Sequence, residues 1–152
     1  MQEAQDDSFV GSVVEVDNLQ VQITKQLGEG GYAFIYAARD VNSGKTYALK
    51  RFLVHEESKV SEVVQEIRLM KDCRDQSDFV RFVTAASVDH SVGKKMSKEY
   101  LLLMEVCSKG DLAALMRSTG DSLSPENVCV VMGSLMRALQ YLHMKQTPVI
   151  HR

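Results

Sequence analysis

Apolar and polar positions alternate from Leu19 onward, with Leu19, Val21 and Ile23 set against Gln20, Gln22 and Thr24. That period of two is the pattern of a half-buried strand. The run leads directly into Gly28, Gly30 and Gly31. Phe34 to Ala38 is apolar and aromatic, Asp40-Val41-Asn42-Ser43-Gly44 is turn chemistry, and Lys45 to Phe52 returns to a β pattern, so three consecutive antiparallel strands are predicted. Then the period changes. Val60, Val63, Val64, Ile67 and Met70 recur at helical spacing and predict an amphipathic helix from Glu57 to Cys73. Phe79 to Val88 and Tyr100 to Val106 read as two more strands, separated by the polar loop His90 to Lys98. Five antiparallel strands and one helix make a small α+β lobe over residues 19–107.

Beyond Cys107-Ser108-Lys109-Gly110 the pattern is helical. Asp111 is a candidate N-cap for a short helix ending near Arg117 to Gly120. Ser124-Pro125-Glu126 supplies a cap, a first-turn proline and an early carboxylate for a long helix reaching Met144. Its stripe is Val128, Val131, Met132, Leu135, Leu139 and Leu142, an apolar face expected to lie uncovered when the chain stands alone. Met1 to Ser8 is polar and acidic, and residues 1–18 are expected to form a mobile head.

Composition narrows the class. With 152 residues, 45% apolar and 25% charged, the chain has the make-up of one ordinary globular domain. A formal charge of -2 gives no basis for a nucleic acid partner. Cys73, Cys107 and Cys129 are odd in number and lack CxxC spacing, so neither a zinc site nor a disulfide framework is suggested and a reducing, cytoplasmic compartment is the default. The start is not basic then apolar, and no uninterrupted apolar run approaches about 18 residues, so no secretory signal or membrane span is expected.

A Gly-x-Gly pair suits any hairpin turn that needs positive φ. A dinucleotide-binding fold would pass from strand through glycines into a helix, whereas Phe34 to Tyr36 continues as a strand. Strand, glycine turn, strand is instead how protein kinases let backbone amides approach a triphosphate. Lys50 follows in the next strand, where a lysine is ordinarily a solvated edge residue. Glu66 has Glu62, Val63, Leu69 and Met70 at three and four residues, hence no local cation, and borders the apolar stripe, so a tertiary partner is expected.

Four segments together resemble the numb-associated serine/threonine kinases: Leu27-Gly28-Glu29-Gly30-Gly31-Tyr32-Ala33-Phe34-Ile35-Tyr36, Tyr47-Ala48-Leu49-Lys50-Arg51, Leu101-Leu102-Leu103-Met104-Glu105-Val106-Cys107 and Thr147-Pro148-Val149-Ile150-His151-Arg152. The likeness covers residues 8–152 and is nearest to the cyclin-G-associated and adaptor-associated kinases. Phe9-Val10-Gly11, Gly30 to Phe34 and Ala85-Ala86-Ser87 look like the cyclin-G-associated branch. Ala33 replaces the third glycine of the general kinase loop, which fits the family, whereas Met104 is bulkier than that branch's threonine and matches the adaptor-associated relatives.

The resemblance implies a set of ATP contacts: Leu27, Gly28, Glu29, Gly30, Gly31, Tyr32 and Ala33 over the nucleotide, Ile35 and Ala48 against adenine, Lys50 on the α- and β-phosphates, and the backbone of Glu105 and Cys107 at the hinge. It implies a Lys50–Glu66 ion pair and Met104 as the residue limiting the pocket behind the base. Arg51, on the opposite face, is expected to be solvent-exposed. Cys107 takes a hinge role only, and His143 a packing or capping one. Residues 108–152 would be the hinge exit and first helices of a truncated, mainly helical large lobe. His151-Arg152 resembles the opening of the catalytic loop, whose aspartate would follow Arg152. The asparagine and the Asp-Phe-Gly aspartate that hold Mg²⁺ come later still, so no catalytic or metal-binding residue is expected within the 152, which alone should transfer little phosphate. Implied partners are ATP, Mg²⁺ and protein serine or threonine, with clathrin-adaptor subunits as typical substrates and clathrin-coated membranes as a location. A noncatalytic, pseudokinase-like regulatory module is the alternative.

Overall fold

The computed structural model describes residues 9–90, 97–120 and 122–150. The head before Phe9, most of the loop after His90, and His151-Arg152 lie outside the described residues. The chain forms two units, one from residues up to Asp75 with Val80–Val106, the other from Gln76–Phe79 with Cys107 onward.

In the first unit the alternating segments pair as one antiparallel sheet: β1 (Val13–Val16), β2 (Leu19–Gly30), β3 (Ala33–Asp40), β4 (Thr46–Val54), β5 (Phe82–Asp89) and β6 (Lys98–Glu105), in the order β1-β2-β3-β4-β6-β5. An antiparallel sheet with one packed helix is the expected fold class, with β1 as an additional strand. Residues 9–18, expected within a mobile head of residues 1–18, instead form a turn and that strand. β-Branched Val13, Val14 and Val16 favour it, and the two-residue turn Asp17-Asn18 closes the hairpin with Asp17 at φ 57°, a conformation aspartate tolerates. Val16 is fully buried, at 0% exposure.

Alternation gives the sheet two apolar faces. One carries Tyr36, Ala38, Tyr47, Leu49, Leu101 and Leu103, joined by Val16, Val21 and Ile23. The other carries Ala33, Phe52, Val54, Tyr100 and Leu102 beneath α1 (Glu57–Asp72), whose Val63 is buried and whose Val60, Val64, Ile67 and Met70 pack partly buried beside it. The stripe read from the sequence is therefore the packed stripe. Fully burying each large side chain contributes about 1.5–3 kcal/mol.

The strand expected from Phe79 begins three residues later, at Phe82. Phe79 belongs to the second unit, where its ring meets Tyr141 edge-on at 5.7 Å. There α2 (Leu112–Ser118) is capped by Asp111, which accepts the Ala114 N–H at 2.6 Å, and α3 (Pro125–His143) by Ser124, which accepts from Asn127 at 3.3 Å. Leu142 is buried, while Val128, Met132 and Leu135 are exposed. Among the described residues no helix is long and apolar enough to cross a membrane.

Arg137 donates from Nε and Nη2 to the two carboxylate oxygens of Asp78, both at 2.8 Å. This hydrogen bond, with help from Ser134, holds the Asp78 carboxyl below its usual range. A depressed carboxylate contributes stability that is present above its unfolded pKa and lost as pH falls through the lower folded one. Thermal unfolding followed through the acid range should therefore show a steeper decline in wild type than in Asp78→Asn. Identical acid profiles would mean that the pair contributes nothing.

Candidate functional site

β2 and β3 meet at the glycine turn, with Gly28 paired to Ile35, Glu29 to Phe34 and Gly30 to Ala33. Neither Gly28, Gly30 nor Gly31 has positive φ, unlike Gly11, Gly44, Gly110 and Gly120, so backbone conformation does not demand glycine there. A Cβ on Gly28 or Gly31 would meet no atom within 4 Å, and one on Gly30 only the Ala33 carbonyl at 3.7 Å. The space beside these residues is open, and what glycine preserves is access to the backbone. Tyr32 at the tip is exposed, and its carbonyl accepts the Leu53 N–H at 3.1 Å, tying the turn to β4. The Ala33 methyl is buried against the α1-side core, so the residue at the third-glycine position is held by packing.

Pairing registers Ile35 with Lys50, Ala37 with Ala48, and Ala48 with Met104. Cross-strand partners share a face, so Ile35, Ala37, Ala48, Lys50 and Met104 lie on one face of the sheet. Lys50 Nζ lies 2.6 Å from Glu66 Oε1 on α1 and 4.9 Å from the Phe52 ring centroid. The side chains of this pair are 24% and 38% exposed. Such a part-buried pair contributes about 1 kcal/mol to folding, the upper end for exposed ion pairs. Orientation of the ammonium is the larger consequence. Leu27 is exposed at the β2 irregularity between Gln26 and Gly28.

Glu105 ends β6, its N–H donating to the Arg81 carbonyl and its carboxylate accepting the Arg81 N–H at 2.8 Å. Cys107 opens the second unit, exposed, with its carbonyl accepting the Gly110 N–H at 3.1 Å. Arg51 departs from expectation. It does face away from Lys50, yet its side chain is only 17% exposed, because it is ion-paired to Glu99 and lies over the Phe9 ring. Glu99, 8% exposed, was missed as a structural residue. The available signal was a carboxylate in register with Leu101 and Leu103 on an apolar face.

The family model described as protein kinase domain matches residues 21–152. The chain belongs to the protein kinase domain family. This kinase chain is 29% identical over 145 residues to a probable serine/threonine-protein kinase of Dictyostelium discoideum, an alignment covering 93% of the chain and 12% of that protein. It is 30% identical to the serine/threonine-protein kinase sel-5 of Caenorhabditis elegans, with 93% and 13% covered, and 31% identical to ppk13 of Schizosaccharomyces pombe, with 89% and 39% covered. The matched segment thus spans between 12% and 39% of the length of these relatives. Protein kinases generally use ATP and Mg²⁺ and act on protein substrates.

Proposed function

We propose that the chain is the ATP-gripping part of a serine/threonine kinase of the numb-associated family, with residues 19–107 as small lobe and 108–152 as the start of the large lobe. The carrying observation is the 2.6 Å Lys50–Glu66 contact on the face that also holds Ile35 and Ala48. A single oriented cation beside a flat apolar patch suits a ring joined to a phosphate chain, and the open backbone at Gly28 and Gly31 leaves room for the phosphates. In this reading Leu27 and Glu29 to Ala33 cover the nucleotide, Glu105 and Cys107 hold the base through their peptides, and Met104 limits its depth. ATP supplies the transferable phosphoryl group, while the residues here bind and orient it. Among the described residues no three metal-ligating side chains cluster, so no step is assigned to Mg²⁺.

The motifs shared with the numb-associated kinases support clathrin-adaptor subunits as the substrate class and a cytoplasmic site of action near coated membranes. Reading the messenger beyond the Arg152 codon tests the enzyme assignment. An aspartate next and Asp-Phe-Gly further on are expected. A stop codon at that point would replace the kinase reading with that of a noncatalytic nucleotide-binding or regulatory module.

A further inference from the structure

The segment before β1 touches all three strands that carry the nucleotide face, from the opposite side of the sheet. Its backbone joins β2, with the Gly11 N–H donating to the Ile23 carbonyl and the Ile23 N–H to the Ser12 carbonyl, both at 2.8 Å. Its Phe9 ring lies 5.0 Å from the Tyr36 ring of β3 and 3.9 Å from the Arg51 guanidinium carbon of β4. The Ser12 hydroxyl donates to the Phe9 carbonyl at 2.5 Å and closes the turn that presents the ring.

These are the immediate neighbours of the proposed ATP contacts. Arg51 follows Lys50 and Tyr36 follows Ile35, and because side chains alternate, each pair divides between the two faces. A strand cannot roll so as to move Lys50 without also moving Arg51. Arg51 is fixed from two directions, by the Phe9 ring and by Glu99, whose second oxygen lies 3.0 Å from His90 Nε2. A half-buried cation held between an aromatic face and a carboxylate is a stiff anchor. On the Lys50 side the contacts of the ammonium among the described residues are the part-buried Glu66 carboxylate and the Phe52 ring.

We propose that residues 9–12 form a strap that fixes the strands bearing the glycine turn and Lys50, and that Phe9 is a positioning residue for nucleotide binding, acting through Arg51 and Tyr36. The binding half of this inference rests on the ATP reading above. The mechanical half does not.

The test compares Phe9→Ala, Phe9→Leu and the conservative Phe9→Tyr. Phe9→Leu keeps apolar bulk and guards against simple failure to fold. Backbone hydrogen exchange is followed without ligand, and Mg-ATP is titrated into each variant alongside Lys50→Met. In Phe9→Ala and Phe9→Leu, exchange should quicken roughly tenfold within residues 28–36 and 48–52 but not in α1, on the scale of local opening. Nucleotide binding should weaken about fivefold, and Phe9→Tyr should behave as wild type, as an aromatic anchor predicts. Unchanged exchange in those segments, or an even rise throughout the unit, would overturn the strap. So would undiminished binding in Phe9→Leu where Lys50→Met does weaken it. If Lys50→Met leaves binding intact while the localised exchange appears, the ATP reading fails and the mechanical coupling stands.

Discussion

Replacing Lys50 with methionine is expected to weaken Mg-ATP binding about thirty- to 150-fold while leaving the unfolding midpoint almost unmoved. A hydrogen bond to a charged group contributes about 1.5–3 kcal/mol, more than a neutral one, and the upper part of that range applies where a phosphate would be left facing an alkyl chain. At about 1.4 kcal/mol per decade, a loss of about 2–3 kcal/mol gives the stated range. Stability should change little because the pair with Glu66 is only part-buried, with side chains 24% and 38% exposed, and contributes about 1 kcal/mol, the upper end for exposed ion pairs. Gly28→Val in the same titration is a steric companion, since its Cβ would enter open space and leave the fold intact while its methyls crowd a phosphate chain. Calorimetric titration of the whole gene product reads both. Equal affinity in wild type and Lys50→Met would remove this lysine from nucleotide binding.

What was legible in the chain follows from how local each signal is. Strands β2 to β4 and helix α1 announce themselves by period, and Asp111 and Ser124 by the capping chemistry that their helices use. The Lys50–Glu66 contact was reachable only through the family resemblance, since the absence of a cation at helical spacing says that Glu66 needs a distant partner and not which one. β1 was missed because four residues carry little periodicity, although Val-Val-Glu-Val followed by Asp-Asn is a hairpin signature when read with the strand after it. The same oversight made Arg51 look solvated. Its cover comes from Phe9 and Glu99, residues 42 positions before it and 48 after it, and no window centred on β4 contains either. Phe79 reads as the start of a strand because Val80, Phe82 and Val83 follow it, yet it packs on Tyr141, a long-range contact that period cannot encode.

Phe52→Ala should produce the largest loss of stability, about 3–5 kcal/mol, the range for truncating a buried aromatic side chain. Phe52 is 0% exposed at the centre of the core shared by Ala33, Val54, Val63, Tyr100 and Leu102. An ordinary domain has only about 5–15 kcal/mol in total, so this one ring carries a large share. Urea unfolding would read the change as a lower midpoint, and a cost below about 1 kcal/mol would mean that the surrounding side chains collapse into the cavity. The ring also lies 4.9 Å beneath Lys50 Nζ and 6.5 Å from the Tyr32 ring at the turn tip, so it supports the two groups on which the proposed site depends. Phe52→Leu separates these roles. It keeps most of the volume, should cost less than about 1.5 kcal/mol, and removes the aromatic face under the ammonium, a contact of about 0.5–1 kcal/mol at an accessible position. Nucleotide affinity in that variant should therefore fall only about two- to fivefold, against the thirtyfold or greater loss in Lys50→Met, because supporting a cation is a weaker contribution than supplying one.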